Sequence, residues 1–138
     1  MLTIDASAVA AWLLPDEPSA AADQLYAQAL REEGGFQAPA LLAWETGNLL
    51  RSACLRKRIS QKLMAEALRL FQKAGIRLES APDGLCMQRT LELAGTHGLS
   101  FYDASYLEQA LRTGAQLATK DETLRRQATR AGVVCVTI

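Results

Sequence analysis

Four acidic residues, Asp5, Glu45, Asp103 and Asp121, hold most of the chemistry that this sequence offers. Asp5 directly follows the apolar triplet LTI, with Ser7 two positions further on. Asp121 comes just after QLATK and opens a helical stretch, with Thr119 two positions before it. Asp103 falls in the first turn of GLSFYDASYLEQALRTG, a helical pattern bounded by Gly98 and Gly114. Each aspartate also reads as a helix cap, since an N-cap carboxylate accepts an orphan backbone N–H, and Ser100 with Asp103 has the capping-box form. Capping alone does not explain why Asp5 and Asp121 fall at one edge of the fold expected below, an edge that Asp103 joins if its helix also enters there. Glu45 poses a different problem. On a wheel of about 100° per residue, Leu41, Trp44, Leu49 and Leu55 share one broad arc, and Glu45, Asn48 and Ser52 lie inside it. An exposed helix keeps such residues on its far side. A carboxylate among leucines loses hydration and needs compensation; the simpler alternative is an edge position from which Glu45 reaches water.

If the four acids converge, their mutual repulsion demands either proton uptake or a bound cation. Oxygen donors without cysteine or a usable histidine favour Mg²⁺ or Mn²⁺ over zinc. His97, the sole histidine, stands beside Gly98 and reads as an exposed loop residue. A carboxylate–metal site activates water and stabilises charge on a phosphoryl oxygen. Ser7, Asn48 and Thr119 would orient ligands or water around it. Water activated in this way does not need a nucleophile from the substrate. The run RSACLRKR sets Arg51, Arg56, Lys57 and Arg58 at the end of the segment that carries Glu45. Two readings stand for it: phosphate contacts, or cations suited to a helix C-terminus. Arg125, Arg126 and Arg130 form a second, weaker basic candidate. Trp12, Trp44 and Phe71 have helical core spacing and are expected to pack rather than stack on bases.

Positioning these groups is the task of the elements. Short strands are expected at 2–4, 36–39, 76–80, 115–119 and 133–138. Helices are expected at 6–14, from Pro18-Ser19 to Gly34-Gly35, at 40–58, 60–75 and 83–98, across the Asp103 segment, and from Asp121 onward. Apolar strands alternating with amphipathic helices indicate an α/β fold, a three-layer α/β/α arrangement with a central parallel sheet of about five strands. Open sheets of this kind bind ligands beyond the carboxyl ends of their strands, which is where Asp5 and Asp121 fall. Leu25, Leu63, Leu68 and Leu70 exceed what one buried helix face needs and suggest a partner helix.

At 138 residues, nearly half of them apolar, the chain is expected to fold as a single domain over 1–138. Its formal net charge is zero, so any nucleic-acid contact must come from a local patch. Cys54, Cys86 and Cys135 are odd in number, lack a C-x-x-C spacing and read as buried apolar groups, which fits a reducing cytoplasm. No apolar run approaches a bilayer span. MLTIDASAVAAWLLP lacks a basic leader and is expected to be a strand entering a helix rather than a signal peptide.

TIDASAVAAWLLPDEPS, APALLAWETGNLL, LSFYDASYLEQALRTGAQLATKDETL and the closing strand resemble the PIN-domain ribonuclease family, and within it the VapC toxins of toxin–antitoxin pairs. YDASYLEQA followed by LATKDETL is the most specific part. The resemblance makes Asp5, Glu45, Asp103 and Asp121 the four acidic ligands and sets Ser7, Asn48 and Thr119 at accompanying positions. It implies a Mg²⁺- or Mn²⁺-dependent endoribonuclease acting on structured RNA such as tRNA or rRNA, a homodimer, and inhibition by a cognate antitoxin. Two alternatives differ in class. An aspartate-nucleophile phosphohydrolase is disfavoured because Ser7 stands where a second aspartate is needed, whereas a phosphoacceptor signalling domain, which would modify an aspartate and not cut RNA, stays open in an α/β fold with clustered acids. A catalytically inactive PIN-fold module binding RNA or protein is disfavoured because all four acids are present.

Overall fold

The computed structural model describes residues 1–32 and 35–138. Gly34 of the expected Gly34-Gly35 helix stop lies outside them. Five strands form one sheet: β1 (Leu2–Ile4), β2 (Phe36–Ala38), β3 (Arg77–Leu78), β4 (Gln116–Ala118) and β5 (Cys135–Val136). They lie in the order β3-β2-β1-β4-β5, every pairing parallel. Among the described residues seven helices connect them: α1 (Ala6–Leu13), α2 (Ala20–Arg31), α3 (Leu41–Leu55), α4 (Gln61–Lys73), α5 (Gly84–His97), α6 (Phe101–Thr113) and α7 (Glu122–Arg130).

The α/β class and the layer order follow from this topology. From β1 the chain winds outward through β2 to β3, and from β4 outward to β5 in the other direction. Right-handed crossovers then put α1 to α4 on one face and α5 to α7 on the other. The packing agrees: α1 touches α2, α3 and α4, while α6 touches α5 and α7. The winding direction reverses between β1 and β4. Their register, Leu2 opposite Gln116 through Ile4 opposite Ala118, ends both strands together. Asp5 and Thr119 therefore stand side by side at the reversal point, where an open sheet has a crevice.

Local signals set the helix ends. Asp5, Ser19, Ser60, Asp83, Ser100 and Asp121 each accept an N–H from the first turn of the helix that follows. Gly98 and Gly114 close α5 and α6 at φ of 62° and 65°. The 40–58 helix is shorter than expected. It ends at Leu55, because Lys57 adopts φ of 57° and the Arg58 N–H turns back to the Ala53 carbonyl, a Schellman closure with lysine where glycine is usual. The edge strands β3 and β5 are also shorter, each pairing on one side only.

The core contains Ile4, Phe36, Leu42, Leu107, Leu117 and Leu124. Its fully buried α3 face is Leu42, Thr46, Leu50 and Ala53; of the expected arc, Leu41 and Leu49 pack partly buried against the core while Trp44 and Leu55 are exposed. Trp44 is 80% exposed, which corrects the expectation that it packs in the core. Leu25 is buried, which removes it from the candidate partner surface, whereas Leu63, Leu68 and Leu70 are exposed. The three cysteines are half-buried rather than fully buried. His97 ends α5, half-buried, with Nδ1 3.4 Å from Gln127 Oε1. Among the described residues no helix is long and apolar enough to cross a membrane.

Candidate active site

Asp5 is the most constrained of the four acids. It is 4% exposed and is the N-cap of α1. Its Oδ1 accepts the Ala8 N–H at 3.0 Å and the Ser7 hydroxyl at 2.7 Å, and its Oδ2 accepts the Thr119 hydroxyl at 2.5 Å. The two hydroxyls are fixed in turn by backbone: Ser7 Oγ accepts the Lys120 N–H and Thr119 Oγ1 accepts the Asp121 N–H. A closed set of bonds thus ties the end of β1 to the end of β4, and the carboxylate cannot turn without breaking several of them. Burial pushes the Asp5 carboxyl above the ordinary carboxylate range. Its hydrogen bonds offset part of that rise, and the charge of Asp103 adds to it.

Glu45 lies in the second turn of α3, half-buried at the border of the apolar face rather than inside it. Tyr106, from the buried face of α6, donates its hydroxyl to Glu45 Oε1 at 3.3 Å. Burial raises the Glu45 carboxyl, the Tyr106 bond lowers it, and Asp5 and Asp103 raise it further. Asp103 occupies the first turn of α6, and its N–H bonds to Ser100 Oγ. Its carboxyl is raised by burial and then by Asp121, with Ser100 opposing. Asp121 is exposed and caps α7 through the Leu124 N–H at 2.7 Å. Cap and site are thus not competing explanations for Asp5, because one carboxylate has lone pairs for both.

Asp5, Glu45 and Asp103 perturb one another, and Asp103 senses Asp121, so the four form one electrostatic neighbourhood. No Lys or Arg is among the groups that lower the first three. The compensation present is hydroxyls, backbone N–H groups and the positive ends of α1, α3, α6 and α7, all directed at this edge. The donor chemistry suits a hard divalent cation, with oxygen ligands and uncompensated negative charge. The spacing is open: among the described residues no three acidic, histidine or cysteine side chains stand close enough to hold one ion between them. Ligation by three of them requires Glu45, Asp103 or Asp121 to rotate toward the fixed Asp5.

A cavity of about 490 Å³ beside the acids is lined by Ser7, Glu45, Asn48, Arg56, Arg58 and Lys120, among others. Asn48 is exposed there, one turn beyond Glu45. Of the basic run, Arg56 and Arg58 reach this cavity, whereas Arg51 and Lys57 are exposed elsewhere on the segment. Arg58 is engaged by Asp16 through two bonds of 2.8 Å. Sequence reasoning missed Lys120 and Tyr106. Lys120 adjoins Asp121, and Tyr106 follows Asp103 by three positions, a spacing that shares one helix face.

The PIN domain family matches residues 2–129 of the chain. Ribonuclease VapC3 of Pyrobaculum aerophilum is 31% identical over 127 residues, an alignment covering 89% of this chain and 91% of that protein. The crystal structure of PAE2754 from Pyrobaculum aerophilum superposes with a TM-score of 0.73 at 26% identity, covering 98% of this chain and 83% of the other. That of FitAcB from Neisseria gonorrhoeae superposes with a TM-score of 0.61 at 18% identity, covering 99% and 97% of the two chains, a likeness of fold.

Proposed function

The chain belongs to the PIN-domain family of VapC-type ribonucleases, and from that premise we propose that it is a divalent-metal-dependent endoribonuclease whose site is Asp5, Glu45, Asp103 and Asp121. The observation that carries this reading is the shared electrostatics of Asp5, Glu45 and Asp103, each raised by burial and by a neighbouring acid of the four, with no Lys or Arg among the groups that lower them. Such a cluster is costly to the fold and is of use to a protein that binds a cation. The retained acids give no support to an inactive binding module.

These four residues would hold Mg²⁺ or Mn²⁺. A divalent ion in such a site supplies acidified water and positive charge for phosphoryl oxygens. The chain's own groups do the rest. Ser7, Thr119 and the Ala8 N–H hold Asp5 at fixed orientation. Tyr106 holds Glu45 by Oε1, which leaves Oε2 for a cation or a proton. Arg56 and Lys120 line the adjoining cavity and offset the repulsion between an acidic site and a polyanion. Cleavage by water gives 5′-phosphate and 3′-hydroxyl ends.

A cognate antitoxin is the expected protein partner. Leu63 and Leu70 of α4, with Trp12, Leu13 and Leu14, line a second cavity of about 310 Å³ that suits an amphipathic helix. A homodimer and a cytoplasmic location complete the proposal. The experiment that tests it is incubation of antitoxin-free protein with total RNA and Mn²⁺ beside the Asp103→Asn variant. Metal-dependent cleavage by the parent alone supports the reading. Intact RNA, or equal cleavage by both, overturns it.

A further inference from the structure

Trp44 is 80% exposed and Tyr102 63% exposed, although large aromatic side chains are what a core takes up first. Each directly precedes an acid of the site, Trp44 before Glu45 and Tyr102 before Asp103. Both line one cleft of about 260 Å³, with Pro39, Leu41, Phe101 and Ser80. Residue 44 thus lines this cleft while residue 45 lines the basic one, so α3 contributes consecutive positions to both.

Their linings differ in kind. The first has Arg56 and Lys120, suited to phosphate. The charged residues of the second are Glu79 and Glu108, and both are bound by Arg112: Glu79 at 3.0 and 2.8 Å, Glu108 at 2.8 and 3.2 Å. No cation there awaits a phosphate. What remains is largely apolar, and its two exposed aromatics each stand one residue before an acid of the proposed site.

We propose that Trp44 and Tyr102 form a stacking platform for unpaired bases of the RNA strand whose backbone crosses the acids, an inference that rests on the ribonuclease reading. One strand then has its phosphates at Arg56 and Lys120 and its bases against the aromatic pair. Unpaired bases are required, because a base inside a duplex already has both faces covered. Substrate choice at this site comes from single-stranded or looped segments beside the cut.

The test uses the Asp103→Asn protein, so that binding is read without cleavage. Its probes are a single-stranded oligoriboadenylate of about twelve nucleotides and an abasic ribose-phosphate oligomer of the same length. The chain has two tryptophans; buried Trp12 is shielded from a bound base, so quenching by the probe reports exposed Trp44. The oligoriboadenylate is expected to quench it and the abasic oligomer is not, a result that needs no aromatic variant. Trp44→Ala and Tyr102→Ala should each weaken oligoriboadenylate binding by roughly five- to hundredfold and leave abasic binding unchanged, with Trp44→Phe retaining most of the affinity. Equal quenching by both probes overturns the platform, as do alanine variants that bind oligoriboadenylate like the parent. If Trp44→Ala instead splits a dimer with probe affinity unaltered, the surface belongs to a second copy and the platform is again overturned. Base-dependent quenching by a parent protein that leaves total RNA intact would sink the ribonuclease reading and keep the platform.

Discussion

Tyr106 on α6 donates its hydroxyl to Glu45 on α3 across 3.3 Å, joining residues 61 positions apart. The two helices lie on opposite faces of the sheet, so this bond spans the crevice at its end and fixes one carboxylate of the proposed site from the far side. Tyr106 is itself 1% exposed, and burial with the neighbouring acids holds its phenol in the protonated, donating form.

Tyr106→Phe should therefore leave the fold intact and remove a bond that lowers the Glu45 carboxyl. The loss is about 0.5–1.5 kcal/mol, equivalent to a rise of up to about one pH unit. The acid limb of the pH–rate profile should move upward by that amount while the alkaline limb stays. A profile superimposable on the parent would show that Tyr106 does not act through Glu45.

Asp103→Asn separates function from stability. Activity should fall by more than the roughly 10- to 100-fold that supporting residues of a metal site cost. Without divalent ions the variant should be more stable, by about 0.5–2 kcal/mol or about 2–8 °C in Tm. The sign follows from linkage. The folded carboxyls of Asp103 and Glu45 titrate above ordinary carboxylate values, raised by burial and by neighbouring acids. Their contribution is complete below those values and is lost as pH rises through the folded ones. The metal-free parent should thus lose stability from about pH 4 toward neutrality, and the variant less so. Thermal melts across pH with chelator present measure this. Added Mn²⁺ should raise the parent's Tm and not the variant's.

Thr119→Val keeps shape and removes the donor to Asp5 Oδ2. A buried carboxylate oxygen left without its partner costs about 1–3 kcal/mol, and activity should drop by roughly 10- to 100-fold. Chemical denaturation with an RNA cleavage assay measures both. Ser7→Ala, at the other oxygen, should behave alike but more mildly, since the Ala8 N–H still serves Oδ1.

Arg56→Glu and Lys120→Glu should weaken RNA binding for every sequence and reduce the slope of log affinity against log salt by about one per charge removed. Arg58→Glu would break the pair with Asp16 and is expected to change the slope less. A titration at several salt concentrations distinguishes them. Equal slopes for all three variants would show that the basic cleft does not grip the backbone.

Much was legible from local order alone. Caps and glycine stops mark helix ends through contacts within a few residues, so Ser100, Asp121, Gly98 and Gly114 could be read directly. The alternation of apolar strands and helices led to the parallel sheet, because only a sheet covered on both faces buries such strands. The positions of Asp5 and Asp121 just after strands led to one edge of that sheet. Helix-face assignment failed in part for α3. Hydrophobicity misplaces the arc there, since Trp44 and Leu55 are exposed while Thr46 is buried.

The sequence by itself determined which residue types can share a site, because order along the chain and the direction of a parallel sheet bring them to one edge. Only the tertiary structure decided which groups hold them. The reversal of winding between β1 and β4 gives Asp5 its bond to Thr119 across 114 positions. The packing of α6 against the sheet brings Tyr106 to Glu45. Those contacts depend on long-range packing, which local propensity does not encode, and the same packing leaves Trp44 and Tyr102 outside.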